Sequence, residues 1–527
     1  MKLKNALAGL TAMSLVLQPI TAFAADQPAP APTAPVPAAP VPAARAPAGP
    51  SAFVRCDGFP NKASTLGTVA RLVAITAVIG LLLPPREGYD PKKRANGADG
   101  IKACDEALSG PEPAKDGGRR IELIFGRAIH RMELQDWDGA IADIRSVTTD
   151  QPDLTATLAY KQSLGLTAIE LQAMALTGKG DYAGAHALGL ELANQAPFDI
   201  KAQLSAMQYL AIAKAYGTAE AAVFDQAVRV YPLAVLERAA ARAVDGRFLE
   251  AASDYKAFAD LLGTVPKVRG YSSLARAAVA YRLGGNVTEG DRLMKLALAA
   301  AEADTAQGKT DSPVTATNEA NDLYAIVVAL DSGQGMRART LFSARSRWPT
   351  INAGLVAGVA RKLEAVGTPA ERANTPIPTA KEVLAAEEAR IAAQINNTGD
   401  DNSDRFDTFR PAFAQTEFGK FAANVWKTDK SKYVTTPKTD IEYGEFVDTS
   451  RNGTGTPGTY ALLLHLALLT KARGQSHFML MPAQTSLYRA RFRTGTPGDG
   501  KVFAEMAFEP EAVIAALAPL IPQPPKK

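Results

Sequence analysis

The sequence is poor in the residues that make metal centres: two cysteines and four histidines in 527 residues. That is too little material for a zinc or iron–sulfur site built from those ligands. It also lacks an excess of either charge. Lys+Arg 58 against Asp+Glu 54 leaves +4, well short of what phosphate neutralisation on a nucleic acid demands. Neither Gly-x-Ser-x-Gly nor His-Glu-x-x-His occurs, so the nucleophile elbow and the zinc-protease helix are missing. A long apolar run is missing too. Leu66–Leu83 comes nearest, but Arg71 interrupts it. From Leu72 to Leu83 a helix spans about 18 Å against a hydrocarbon core of ~30 Å, so a buried helix is expected there rather than a membrane anchor.

The first 50 residues read as address and tether. Lys2 and Lys4, the apolar stretch Ala6 to Leu17 and the small-x-small triplet Ala22-Phe23-Ala24 form the pattern of a cleaved secretory signal over residues 1–25. No cysteine follows the apolar stretch, so neither a lipid anchor nor membrane attachment after cleavage is expected. Residues 26–50 hold nine prolines and nine alanines, a spacer composition that buries no core and favours extended polyproline segments. Export places Cys56 and Cys104 where disulfides persist, so the pair is expected to be bonded. Closing a loop of about 50 residues stabilises by roughly 4 kcal/mol in the chain-entropy treatment. Residues 51–117 are accordingly read as a disulfide-bearing helical cap.

From residue 118 to 365 the chain is Ala-rich, with apolar residues at helical spacing and few alternating β-branched runs, which argues for an all-α region. One local pattern recurs there: a turn with Gly or Asp, a small anchor residue, then apolar residues on one helical face. The anchors are Ala140, Ala185, Ala251, Gly290 and Ala338 at spacings of 45, 66, 39 and 48, with a degenerate copy at Ala221, Phe224 and Ala227 inside the longest gap. Small residues also stand upstream, at Ala128, Ala173, Ala239 and Ala278. This pattern resembles the tetratricopeptide-repeat (TPR) family, with irregular spacing and a poorly kept leading half of the motif. The resemblance implies an α-solenoid whose inner wall comes from the first helix of each pair. The corresponding positions here are Phe125, Ile129, Met132, Met174, Leu236, Leu274, Val279, Leu323 and Val327. The wall is apolar and lacks the Lys, Asn and Arg with which family members clamp a C-terminal carboxylate. It suits an apolar helix or strand from a partner, or a segment of this chain; the plainer alternative is that these residues pack within the array.

Residues 366–401 read as linker and amphipathic helix, the latter over Lys381–Ile395, and Asn396–Asp407 as a solvated acidic stretch. Asp400, Asn402 and Asp404 imitate a calcium loop, but Arg405 and Pro411 stand where such a loop needs glycine and glutamate. A small α/β (α+β) domain is expected over 402–521, with strands at Ile441–Val447, His477–Met481, Ser486–Thr494 and Lys501–Phe508, an apolar helix at Thr459–Arg473 and a closing helix at Pro510–Ile521. Gly453-Thr454-Gly455-Thr456-Pro457-Gly458 matches a dinucleotide fingerprint in outline only. Proline interrupts it, and Thr-Gly-Thr-Pro-Gly recurs at 494–498, so turn chemistry is the better reading. Arg489, Arg491 and Arg493 alternate onto one face of a strand, which is either solvated or an anion site.

The expected architecture is thus mainly α: a TPR-like α-solenoid followed by a small α/β domain. The expected function is a non-enzymatic scaffold, exported to the periplasm or envelope of a Gram-negative bacterium, that holds a protein or peptide partner without cofactor, metal or nucleic acid. The alternative is a ligand-binding or enzymatic module in the C-terminal domain, mounted on the array.

Overall fold

A computed structural model describes residues 49–61, 89–213, 217–264, 268–345, 347–396, 403–406, 408–410, 424–428, 434–435, 445–448, 456–481, 489–499, 502–521 and 523. The signal sequence, the spacer up to residue 48 and the apolar stretch 66–83 lie outside them. The described chain is mainly helical. Among the described residues, no helix is long and apolar enough to cross a membrane. The described residues fall into two compact units, one comprising those within 49–155 and 403–409, the other those within 156–396 and 410–523.

The first unit contains α1 (Ala52–Asp57), α2 (Gly97–Ser109), α3 (Gly117–Glu133) and α4 (Trp137–Asp150). Cys56 of α1 and Cys104 of α2 form a disulfide, both residues fully buried. Helix α3 crosses them at Gly126, where an added Cβ would stand 3.1 Å from Cys56 Sγ. The buried Arg119 guanidinium of α3 donates to Asp57 Oδ1 at 2.9 Å and to the Phe59 carbonyl at 2.8 Å. His130 Nε2 lies 2.7 Å from the Cys56 carbonyl oxygen. A cross-link, a buried ion pair and a satisfied imidazole therefore hold three helices together.

Residues 403–409 depart from the expected linker. They belong to this unit, with a short helix Ser403–Phe406. The ring of Phe406 lies 5.6 Å from those of His130 and Phe409, and Phe409 meets Phe125 edge-on at 6.1 Å. Arg405 and Thr408 are buried. The aromatic rings outweigh the surrounding charge because the face of α3 offers them an apolar seat, which composition over a short window cannot register.

In the second unit, successive helices form antiparallel hairpins: α5 (Leu164–Lys179) with α6 (Tyr182–Gln195), α7 (Ile200–Ala213) with α8 (Thr218–Val230), α9 (Val235–Val244) with α10 (Phe248–Gly263), α11 (Tyr271–Leu283) with α12 (Val287–Ala306), and α13 (Ser312–Asp331) with α14 (Gly335–Ser343). Helices α15 (Ala353–Glu364) and α16 (Ala380–Asn396) follow. One turn serves four of these hairpins and the α3–α4 pair. A left-handed residue (Gln135, Gly180, Gly246, Gly285 or Gly333, φ between 59° and 88°) is followed by one whose N–H reaches five residues back. Those bonds, from Asp136, Asp181, Arg247, Asn286 and Gln334 to the carbonyls of Arg131, Leu176, Arg242, Tyr281 and Ala329, measure 2.8–2.9 Å. This is the Schellman closure, which satisfies carbonyls at the end of the first helix. The five anchors named from sequence each fall five residues after the left-handed one, and all are buried. At Gly290 an added Cβ would lie 3.1 Å from the Ala278 carbonyl oxygen, so this helix rests on its partner's backbone.

Two hairpins share a further feature that the sequence reading missed. Arg127 and Arg131 both bind Asp143, at 2.7–3.0 Å. Arg238 and Arg242 bind Asp254 in the same register, at 2.7–3.1 Å. The signal is Arg-Ala-x-x-Arg before the turn and Ala-x-x-Asp after it. Where the aspartate stands in these two, the other three hairpins carry Leu188, Leu293 and Leu341.

The C-terminal residues form a four-stranded antiparallel sheet, order β1-β2-β4-β3, from β1 (Val434–Thr435), β2 (Glu445–Asp448), β3 (His477–Leu480) and β4 (Arg489–Gly495). Its core joins Phe478 and Phe492 to Leu464 of α17 (Thr456–Ala472) and Val513 of α18 (Pro510–Leu517). The strand expected over Lys501–Phe508 is not formed. Ala504–Met506 is a 3-10 turn, and only Phe508 bridges to Phe478. Val502, Met506, Ala507 and Phe508 are buried while Ala504 and Glu505 are exposed, so the apolar residues there pack without a continuous ladder. The sheet is not a separate body after the array either, because Val230, Phe198 and Tyr231 share its core.

Cys104→Ser should lower the stability of the N-terminal unit by about 4 kcal/mol, read as an earlier transition in denaturant for that unit alone. Asp254→Ala should cost about 3 kcal/mol by leaving Arg238 only the partly exposed Asp225, and Asp254→Leu with both arginines changed to Leu should recover most of it in the same titration.

Candidate functional site

The sequence-predicted inner wall divides in two. Phe125, Ile129, Met132, Val279, Leu323 and Val327 are at most 1 % exposed. Most of them stand six or ten residues before the turn, in the register that faces the companion helices. They are core, and a charge at Val279 would be a folding defect rather than a surface change. Met174, Leu236 and Leu274 are half-buried, and Met174 lies beside a segment of this same chain.

That segment is α16. It packs against α5, α7 and α15, and α5 and α7 are first helices of their hairpins. Ile395 is buried and Ile391 half-buried in a cluster with Ala173, Met174, Tyr209 and Ile212. Towards the other end, Val383 and Leu384 join the core that includes Leu236, Leu274 and Leu355. Of the 17 residues of α16 only Ala380, Ala392 and Ile395 are buried. The 13-residue α11 buries ten. Fully burying an isoleucine side chain contributes about 1.5–3 kcal/mol and alanine much less, so α16 is held by a few kcal/mol.

Polar groups accompany it. Glu237 of α9 keeps some accessible surface although protein surrounds it, and burial pushes its carboxyl up to about 7, with Arg390 of α16 acting against that shift and Glu387 adding to it. The Tyr255 hydroxyl of α10, only 2 % of whose residue is exposed, is raised by burial. It also feels Glu237 and the Arg276 guanidinium of α11. Arg276 Nη2 donates to the Thr350 carbonyl at 2.8 Å, and the Thr350 N–H donates to Glu319 Oε2 at 2.9 Å. Sequence reading missed Glu237 and Arg276, each next to or near an apolar position it did select. The stripe of Val383, Leu384, Ile391 and Ile395 was their available signal.

The other candidates do not gather into a site. Residues 453–455 lie outside the described residues. Thr456, Pro457 and Gly458 are buried, with Thr456 Oγ1 donating to the Gln162 carbonyl at 2.9 Å and Tyr460 Oη to Gln162 Oε1 at 2.7 Å. The start of α17 thus faces protein. In the second Thr-Gly-Thr-Pro-Gly segment, the Thr496 N–H donates to Asp499 Oδ2 at 3.1 Å, which is turn chemistry. Positions 489, 491 and 493 alternate with Phe492, whose ring is in the core. The histidines are scattered: His130 on α3 at the Cys56 carbonyl, His186 beside Glu220, His465 on the Val425 carbonyl at 2.9 Å and His477 beside Ser476. Among the described residues no three His, Cys, Asp or Glu side chains could hold a metal ion. No family model, curated protein or solved structure matches the chain.

Neutral Glu237 favours the packed arrangement. Its folded value lies above its ordinary 4.5, so this contribution is complete below pH 4.5 and is lost as pH rises through about 7. Amide exchange of α16, corrected for intrinsic rates, should therefore be slower at pH 5 than at pH 8, and Glu237→Gln should flatten the difference.

Proposed function

We propose that this protein is an exported, TPR-like scaffold that holds a protein partner in the bacterial cell envelope, without catalysis or a cofactor. The observation that carries the reading is the recurring hairpin. The same left-handed turn, the same closing hydrogen bond and a buried small residue five positions on recur at five places. Stacked helix pairs that touch mainly their neighbours build an extended inner surface, and that is how repeat proteins bind partners. The basic, apolar and small-residue segments of the first 25 residues support export, and the cross-link in the cap suits an oxidising compartment.

The test is site-specific photo-crosslinking in the full chain. A photoreactive residue at Met174, Leu236 or Leu274 should capture one protein species from intact cells, and one at the exposed Leu296 should not. Folded protein that yields no adduct from any of the three inner positions would overturn the reading.

A further inference from the structure

Helix α16 touches the inner wall with one stripe and shows the rest of itself to solvent. Glu382, Ala386, Ala389 and Ala393 are exposed on its outer side. Its seat combines Ala173 and Met174 of α5 with Tyr209 and Ile212 of α7, and takes Ile391 and Ile395 from α16. The segment before it carries Gly367, Pro369, Pro376 and Pro378, so α16 is joined to α15 by a connection that is not a continuous helix. A helix held by one stripe and few buried side chains leaves its seat at a small free-energy cost, as ligand-gated elements do.

We propose that the inner wall beneath α16 is a helix-binding site, and that α16 occupies it in exchange with an amphipathic helix of a partner chain bearing the same apolar stripe. The chemistry of that partner follows from the occupant. It needs apolar side chains at the positions of Val383, Leu384, Ile391 and Ile395, with alanine-sized groups between. Arg390 of α16 favours the ionised form of Glu237 and Glu387 opposes it, and Arg390 holds Glu387 through two hydrogen bonds of 2.6 Å.

The inference rests on the scaffold reading and deepens it. It is tested with a labelled synthetic peptide of residues 380–396, wild-type full chain, and the full-chain variant Ile391→Asp/Ile395→Asp, which unseats α16. The peptide should bind the variant at least about tenfold more tightly than the wild type. Equal binding to both chains, or no binding to a variant with the wild-type helical signal, would overturn the exchange. Should the variant lose its fold, amide exchange of the wild type decides: α16 exchanging at least about tenfold faster than α5 and α7 supports the proposal, and protection equal to theirs overturns it. Crosslinking at Met174 with no peptide binding would keep the scaffold and discard the exchange.

Discussion

How closely the second helix of each hairpin can approach the first is the constraint on which the array depends. The turn fixes where the second helix starts, and the buried residue five positions on is alanine or glycine in all five cases. Opposite it, Ala128, Ala173, Ala239 and Ala278 occupy the matching place on the first helix, with Ile326 in the last pair. Backbone-to-backbone packing of this kind removes water efficiently but buries little apolar area per residue. An alanine-lined array therefore needs additional holds between helices. In two hairpins these are the paired arginines on Asp143 and Asp254; in two others Leu188 and Leu293 stand at the same position, and in the last Leu341 is exposed there. The charged hold is stable only while both signs are present.

Helix α16 lies against α5 and α7, the first helices of their hairpins, and against α15. The helix contributes few buried side chains, and beneath it lies a carboxyl whose ionisation opposes close packing. Elements of low local stability are those that move when a ligand arrives. The same features that make α16 a weak contributor to the core carry the proposal that it exchanges with a partner helix.

The C-terminal sheet gains its stability from the helices as much as from its own strands. Phe198, Val230 and Tyr231 complete its core, and Gln162 accepts from Thr456 and Tyr460. Arg410 is buried between helices as well, its Nη1 donating to Glu170 Oε2 at 2.7 Å and its N–H to Thr167 Oγ1 at 3.0 Å. A four-stranded sheet with one short edge strand has little independent core, so its docking onto the helices is what makes it a folded part.

By itself, the sequence determined what depends on neighbours along the chain: helical class, the hairpin turns, the anchor residues and the β4 strand. These follow from periodicity, from glycine at left-handed positions and from small residues at fixed distance from them. It also determined the cysteine pairing, since only two cysteines exist. Tertiary structure decided which face of each helix is core. Residues six and ten before the turn looked like an open wall because hydrophobicity marks burial without saying against what, and Val279 and Leu323 proved to be interior. It decided too that Phe406 and Phe409 pack at α3, that 502–508 form no ladder beyond the Phe508 bridge, and that α16 packs on α5 and α7. Each depends on segments far apart in the chain, whose meeting is set by the free energy of whole faces and carries no local spacing to read.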